Sequence, residues 1–314
     1  MTLEEAPNPI SRSALFVAAG RAIGAREPDP AARNPDHLAE TLLGDPSILN
    51  QEVPTVRALR LDYDEAMQDL TIVNCVRMTT VRTRFIDDAL NRAISRGVKQ
   101  IVMLGAGLDS YAYRRPDLLE EVRVFEVDRP VMQAFKRQRV AIALGAEPTY
   151  VTYVTADFQR DKLDEILASH GCNVALETLF VMEGVSMYLP AATVSDILAL
   201  VARHRSGSGI VLDFLFGRAL RAPRGFVLPR EGAHKVFGDR GLTLQKVLAV
   251  NGEEAAALYL TRTDGTQIGA RTIEEAMCRI VEDPATLPRR SPWGGIVWQA
   301  QGPLRYHVAK AVVP

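Results

Sequence analysis

Gln100-Ile-Val-Met-Leu-Gly-Ala-Gly-Leu-Asp-Ser110, followed by Arg123-Val-Phe-Glu-Val-Asp128, is the stretch that decides the fold. Ile101 to Leu104 is apolar without alternation, the pattern of a strand buried on both faces. It stops at Gly105-Ala106-Gly107, where missing side chains let the backbone turn sharply and let a ligand come close. Val122 to Val127 predicts a second strand, closing on the acids Glu126 and Asp128. A carboxylate about 20 residues past such a turn can accept hydrogen bonds from ribose hydroxyls. The two segments together predict a nucleoside half-site for an adenosine-containing cofactor. The dehydrogenase fingerprint would place a third glycine or alanine where Ser110 stands. Asp109 would repel a pyrophosphate and better suits a cofactor with a positive centre. A tight strand-to-helix turn with no ligand is the plain alternative.

Working outward, Ala14, Leu15, Ala18, Ala22 and Ile23 share one side of a helix over 11–25. Prolines break the chain at 27–36. Helical stripes return over about 61–78 and 80–96, as one helix or two, with Gly97 in the capping position. Beyond Asp128 come a helix at 130–145 opened by Pro130, a strand at Tyr150–Ala156 and a helix at 161–169. A strand at Leu179–Met182, a helix from Pro190 and a strand at Ile210–Phe216 complete five strand–helix alternations. That order predicts an α/β fold with a doubly wound, mostly parallel sheet. The expected organisation is an N-terminal helical layer over 1–80 and a core over 81–216. A helical or irregular cap at 217–290 and a hairpin at 291–314 follow. Within the cap only about 241–250 and 272–281 have helical character; Gly295–Trp298 and Arg305–Val313 predict an antiparallel hairpin on the sheet edge.

Bulk properties narrow the function. The 314 residues are 47% hydrophobic and 24% charged, as in an ordinary soluble enzyme. A net charge of -1, with arginines dispersed, gives no field for nucleic acid. No apolar run approaches the roughly 20 residues of a membrane span, and the acidic N-terminus lacks signal-peptide order. Cys75, Cys172 and Cys278 lie far apart, so a reduced cytoplasmic protein is expected, with the thiols as core filling. No cluster has metal-ligand spacing.

Ligands of doubly wound sheets sit outside the carboxyl ends of the strands. Four consecutive strands here finish with Gly105/Gly107, Glu126/Asp128, Asp157 and Glu183. S-adenosylmethionine presents ribose hydroxyls, an adenine amino group, an ammonium and a sulfonium, all of which favour carboxylates or backbone acceptors. Its one carboxylate needs a cation, and Arg82 is the candidate for that bidentate contact. A solvated surface arginine is the competing reading of Arg82.

These segments carry a resemblance. Ser13-Ala-Leu with Ala18-Ala-Gly-Arg-Ala22, Arg26-Glu-Pro-Asp-Pro30 and Val81-Arg-Thr-Arg-Phe-Ile-Asp87 belong to it, as do Gln100–Ser110 and Val124–Asp128. Ala156-Asp-Phe158 and Glu183-Gly-Val-Ser-Met-Tyr-Leu189 complete it. Over 13–189 the chain resembles the leucine carboxyl methyltransferase family, in particular its bacterial branch acting on small molecules. That resemblance implies a class I, Rossmann-like enzyme using S-adenosyl-L-methionine. It implies that Arg82 holds the cofactor carboxylate and Gly105-Ala106-Gly107 forms the glycine loop. Asp128 is then the ribose acid, Asp157 and Phe158 lie at the adenine, and Glu183 sits near the methionine end. Phe158 replaces the usual leucine, and Tyr111 stands where many relatives carry arginine.

A carboxylate acceptor is already ionised at neutral pH and needs no base, whereas a phenol normally does. The five histidines (37, 170, 204, 234 and 307) adjoin none of these motifs. Carboxyl O-methylation of a small, natural-product-like acid is therefore the expected reaction, driven by proximity and exclusion of water. Tyr111, Tyr113, Arg114 and Tyr188 are candidates for orienting the acceptor, with packing roles as the alternative. The rival functions are methylation of a hydroxyl, a nicotinamide-dependent oxidoreductase, a cofactor-binding protein without methyl transfer, and methylation of a protein C-terminus. The expected partner is a small-molecule acceptor, with no nucleic acid or membrane; a homo-oligomer is compatible with the sequence.

Overall fold

The computed structural model describes residues 10–119, 121–216, 227–228, 232–275 and 305–314. Ser11 caps the first helix, α1 (Arg12–Gly24), by accepting from the Ala14 amide. Short helices α2 (Ala39–Leu43), α3 (Pro54–Ala58) and α4 (Tyr63–Ala66) follow. Asp62 and Glu65 form a capping box that starts α4. Asp69 then accepts from the Thr71 and Ile72 amides and starts α5 (Leu70–Ser95). The stripe over 61–78 is thus two helices, while that over 80–96 continues the second. With no glycine or proline inside it, α5 runs unbroken for 26 residues, across residue 80.

The alternation after α5 follows the sequence closely. β1 (Gln100–Leu104), α6 (Tyr111–Arg114), β2 (Arg123–Asp128) and α7 (Pro130–Leu144) come first. β3 (Val151–Thr155), α8 (Leu163–Ser169), β4 (Thr178–Met182), α9 (Ala191–Ala202) and β5 (Gly209–Phe216) follow. These five strands are parallel in the order β3-β2-β1-β4-β5, a doubly wound, Rossmann-like arrangement whose order reverses between β1 and β4. A two-residue strand, β6 (Val227–Leu228), pairs with the end of β5.

The last part of the sheet departs from expectation. Residues 241–250 are not helical: after α10 (Ala233–Gly238) they form β7 (Thr243–Ala249). A register shift between Leu244 and Lys246 puts Leu244 and Val247 into the same core although they stand three apart, a spacing that mimics a helix. Next come α11 (Glu253–Tyr259), a helical stretch at 270–275, and β8 (Arg305–Val312). The expected edge hairpin is also corrected. β8 runs antiparallel to both β5 and β7 and so lies inside the sheet. Residues 295–298, expected as its partner, lie outside the described residues, as do 276–281.

Two cores explain the unalternating strands. Ile101 and Met103 face one core with α1, α5 and α7, while Val102 and Leu104 face the other with α8, α9 and α10. Among the described residues no helix is long and apolar enough to cross a membrane.

Charges are also buried here. Lys136 on α7 pairs with Glu126 at 2.8 Å, and the Tyr113 hydroxyl donates to the same carboxylate at 2.8 Å. Replacing Lys136 by Met leaves an uncompensated buried charge and should cost about 3–5 kcal/mol, while adding Glu126→Gln should restore most of it. Urea denaturation of the single and double variants checks this; equal losses would contradict it. His204 packs edge-on against Phe180 and lies 3.1 Å from the Leu200 carbonyl oxygen through Nδ1. Burial lowers its pKa, against the opposing effect of that carbonyl. The unfolded chain therefore takes up the proton first as pH falls, and stability should drop below about pH 6.5. The denaturation midpoint of the wild type should fall more than that of His204→Gln over this range.

Candidate functional site

The loop leaving β1 is tied to β2 before any ligand is considered. The Gly105 and Ala106 amides both donate to the Val127 carbonyl, at 2.8 and 3.0 Å. The Gly107 amide donates to Asp128 Oδ2 at 2.7 Å, and the Arg129 amide to Asp128 Oδ1 at 2.7 Å. Gly105 and Gly107 have φ of 72° and 46°, which side chains rarely tolerate. A Cβ on Gly105 would also come within 2.3 Å of Val185 Cγ2, just past the end of β4. Each Asp128 oxygen makes one of these bonds and keeps acceptor capacity at the rim.

At the neighbouring tip a charge network joins four elements. Glu183, after β4, shares Oε1 between Arg82 Nε of α5 at 2.7 Å and Arg21 Nη1 of α1 at 3.3 Å. Arg82 Nη1 also meets Asp213 Oδ2 of β5 at 3.1 Å, and both Asp213 oxygens accept from the Gly184 amide. Arg21 spans further: Nη2 donates to the Leu108 carbonyl at 2.9 Å, and Nε lies 3.0 Å from Asp36 Oδ2. Ser110 Oγ closes the chain on Asp36 Oδ1. Arg21, Asp36, Arg82 and Asp213 are all buried. Arg82 is thus no surface arginine.

The other sequence candidates fall in two groups. Asp157, beyond β3, is partly exposed and accepts from the Gln159 amide at 3.0 Å, with Phe158 partly buried against the second core. Together with Asp128 it gives the β2 and β3 tips two rim carboxylates. Tyr188 stands exposed after β4. By contrast Tyr111, Tyr113 and Arg114 are buried and engaged inside the chain. Their partners are Asn91, Glu126 and, at 2.6 Å through both Nη atoms, Asp87. Glu126, grouped with Asp128 from sequence, faces Lys136 and Tyr113 and does not join the rim. Asp109 accepts from the Tyr111 amide within the turn.

Arg21, Asp36 and Asp213 join the constellation without having been assigned to it. Two of them left a trace: an arginine inside the small-residue run Ala18–Ala22, and an aspartate inside the apolar strand Ile210–Phe216. Chemically the tips offer rim carboxylates for hydroxyls and amines, beside two arginines that Glu183, Asp36 and Asp213 already hold.

Gly105→Ala should destabilise the protein by about 1–3 kcal/mol through strain at positive φ. Adding Val185→Ala should recover the clash but not the strain, so denaturation midpoints should rank wild type, double, single. Equal midpoints for the single variant and wild type would contradict the loop geometry.

Comparison with known proteins identifies the family. The family model described as leucine carboxyl methyltransferase matches residues 14–202. The chain is 32% identical over 240 residues to an inferred S-adenosyl-L-methionine-dependent methyltransferase of Mycobacterium tuberculosis, covering 74% of this chain and 72% of that one. A second inferred methyltransferase of the same description, from Mycolicibacterium smegmatis, is 35% identical over 182 residues, covering 58% of this chain and 59% of the other. Among solved structures, an inferred methyltransferase from Thermobifida fusca YX superposes with a TM-score of 0.50 at 16% identity, covering 93% of this chain and 97% of that one. The chain belongs to the leucine carboxyl methyltransferase family.

Proposed function

We propose that this S-adenosylmethionine-dependent methyltransferase transfers its methyl group to an oxygen of a small molecule, a carboxylate in preference to a hydroxyl. The observation carrying the reading is the convergence of Gly105–Gly107, Asp128, Asp157 and the Arg21–Glu183–Arg82 network on consecutive strand tips. When bound, the donor supplies an electrophilic methyl on a sulfonium. Asp128 takes the ribose hydroxyls, Asp157 and Phe158 the adenine, and Glu183 the ammonium. Arg82, with Arg21 beside it, takes the cofactor carboxylate. These residues bind and align; none is assigned a proton transfer.

Two things support the carboxylate acceptor. The family is described by carboxyl methylation. Among the described residues, none of the tips carries a histidine: His204 is buried behind α9, and His37, His170 and His234 are exposed elsewhere. A carboxylate needs no base at neutral pH, so alignment and exclusion of water suffice. Tyr188, exposed in the turn that follows β4, is the remaining candidate for touching the acceptor. The nicotinamide-dependent alternative is not favoured by family membership.

Incubation with methyl-labelled cofactor and panels of small acids and phenols tests the reading. Label should enter the acids as base-labile esters, at a rate nearly flat above the acceptor pKa of about 4; label confined to phenols, rising with pH, would reject the carboxylate. Asp128→Ala and Arg82→Ala should each weaken donor binding by roughly tenfold or more, because each removes a charged hydrogen-bonding partner. Calorimetric titration with unchanged affinity in both would reject the pose.

A further inference from the structure

Away from the strand tips, a cavity of about 340 Å³ opens between the Pro30–His37 segment, α5 and the turn after α6. Arg33, Arg84, Arg114 and Arg115 line it, against two carboxylates, Asp87 and Asp88. Both acids are engaged: Asp87 by Arg114 at 2.6 Å, Asp88 by the Tyr259 hydroxyl at 2.9 Å. Arg115 pairs with Asp117 at the surface.

Arg33 and Arg84 differ from these. Arg33 donates Nε to the Glu27 carbonyl and Nη2 to the Pro28 carbonyl. Arg84 donates Nε to the Arg33 carbonyl at 2.9 Å and Nη2 to the carbonyls of Pro30 and Arg33. Among the described residues neither has a carboxylate within ion-pair distance, and Nη1 of each makes no hydrogen bond. Main-chain carbonyls fix the orientation of a guanidinium without neutralising its charge. Burial accordingly draws Arg84 below the ordinary arginine range, opposed by the more distant Asp88 and Asp87. Two half-buried, pre-oriented guanidinium groups therefore share one cavity, and among the described residues neither makes an ion pair at contact distance. Arginine is suited to this task, since its planar fork matches the oxygens of phosphate and carboxylate.

We propose that this cavity is a second binding site, for a small oxyanion carrying a phosphate or carboxylate group, held by Arg33 and Arg84 with Arg115 at the rim. The volume exceeds that of a lone phosphate and admits a substituted one. The proposal stands independently of how the methyl donor binds.

Inorganic phosphate and citrate, titrated into the full chain at constant ionic strength, test it by calorimetry and thermal shift. At least one should bind saturably; the tighter of the two tells whether the site takes a phosphoryl or a carboxylate group. Arg33→Gln and Arg115→Gln should each weaken that binding by roughly tenfold, while Arg137→Gln, paired with Glu147 on α7, should leave it unchanged. Arg115→Gln matters because Arg84 and Arg33 also hold main chain and their loss can unfold the segment, whereas Arg115 sits at the surface. Saturation with S-adenosylhomocysteine separates this cavity from the arginines at the strand tips: binding should persist. No saturable binding by either anion, equal affinity in all variants, or binding abolished by S-adenosylhomocysteine would overturn the proposal.

Discussion

One carboxylate oxygen, Oε1 of Glu183, is held by two arginines from different helices, and the architecture around the β4 tip depends on it. Buried charges are tolerated only when paired and hydrogen-bonded. Arg21 and Arg82 therefore cannot sit at the sheet unless Glu183, Asp213 and Asp36 meet them. The requirement fixes α1 and α5 against the tips of β4 and β5, and through the Leu108 carbonyl it fixes the glycine loop as well. The helices α1 and α5 in this sense help to hold the strand tips and the glycine loop in place.

The core of the fold was legible because its signals are local. Unbroken apolar runs at Ile101–Leu104 and Leu179–Met182 report burial on both faces, and two cores do lie on either side of them. The break between α4 and α5 was also written in the sequence, in Asp62-x-x-Glu65 and in Asp69, but an apolar stripe running across it concealed the caps. β7 was misread for a different reason. Its bulge shifts the alternation by one residue, and a shifted alternation has the spacing of a helix. Placing β8 between β5 and β7 needs a pairing partner distant in sequence, which no window of residues contains.

The site divides in the same way. Gly105, Gly107 and Asp128 were readable because a turn and the strand next to it carry them, and the Gly107–Asp128 hydrogen bond joins them directly. Arg82 was identified as a cation, yet its partners come from residue 183 and residue 213, so its burial could not be read locally. Tyr111, Tyr113 and Arg114 illustrate the reverse error. Polar residues beside a glycine loop look available to a ligand, but here Asn91, Glu126 and Asp87 already occupy them.

The interior position of β8 bears on how the protein is made. Gly209 of β5 pairs with Val312, roughly a hundred residues later, so on the ribosome β5 emerges long before the strand that covers its open edge. Until residues 305–312 leave the exit tunnel, the edge of β5 lies open and β7 lacks the strand it pairs with, each a template for wrong pairing. Completion of the sheet consequently waits on β8, and an intermediate lacking it is exposed to aggregation and to chaperone capture.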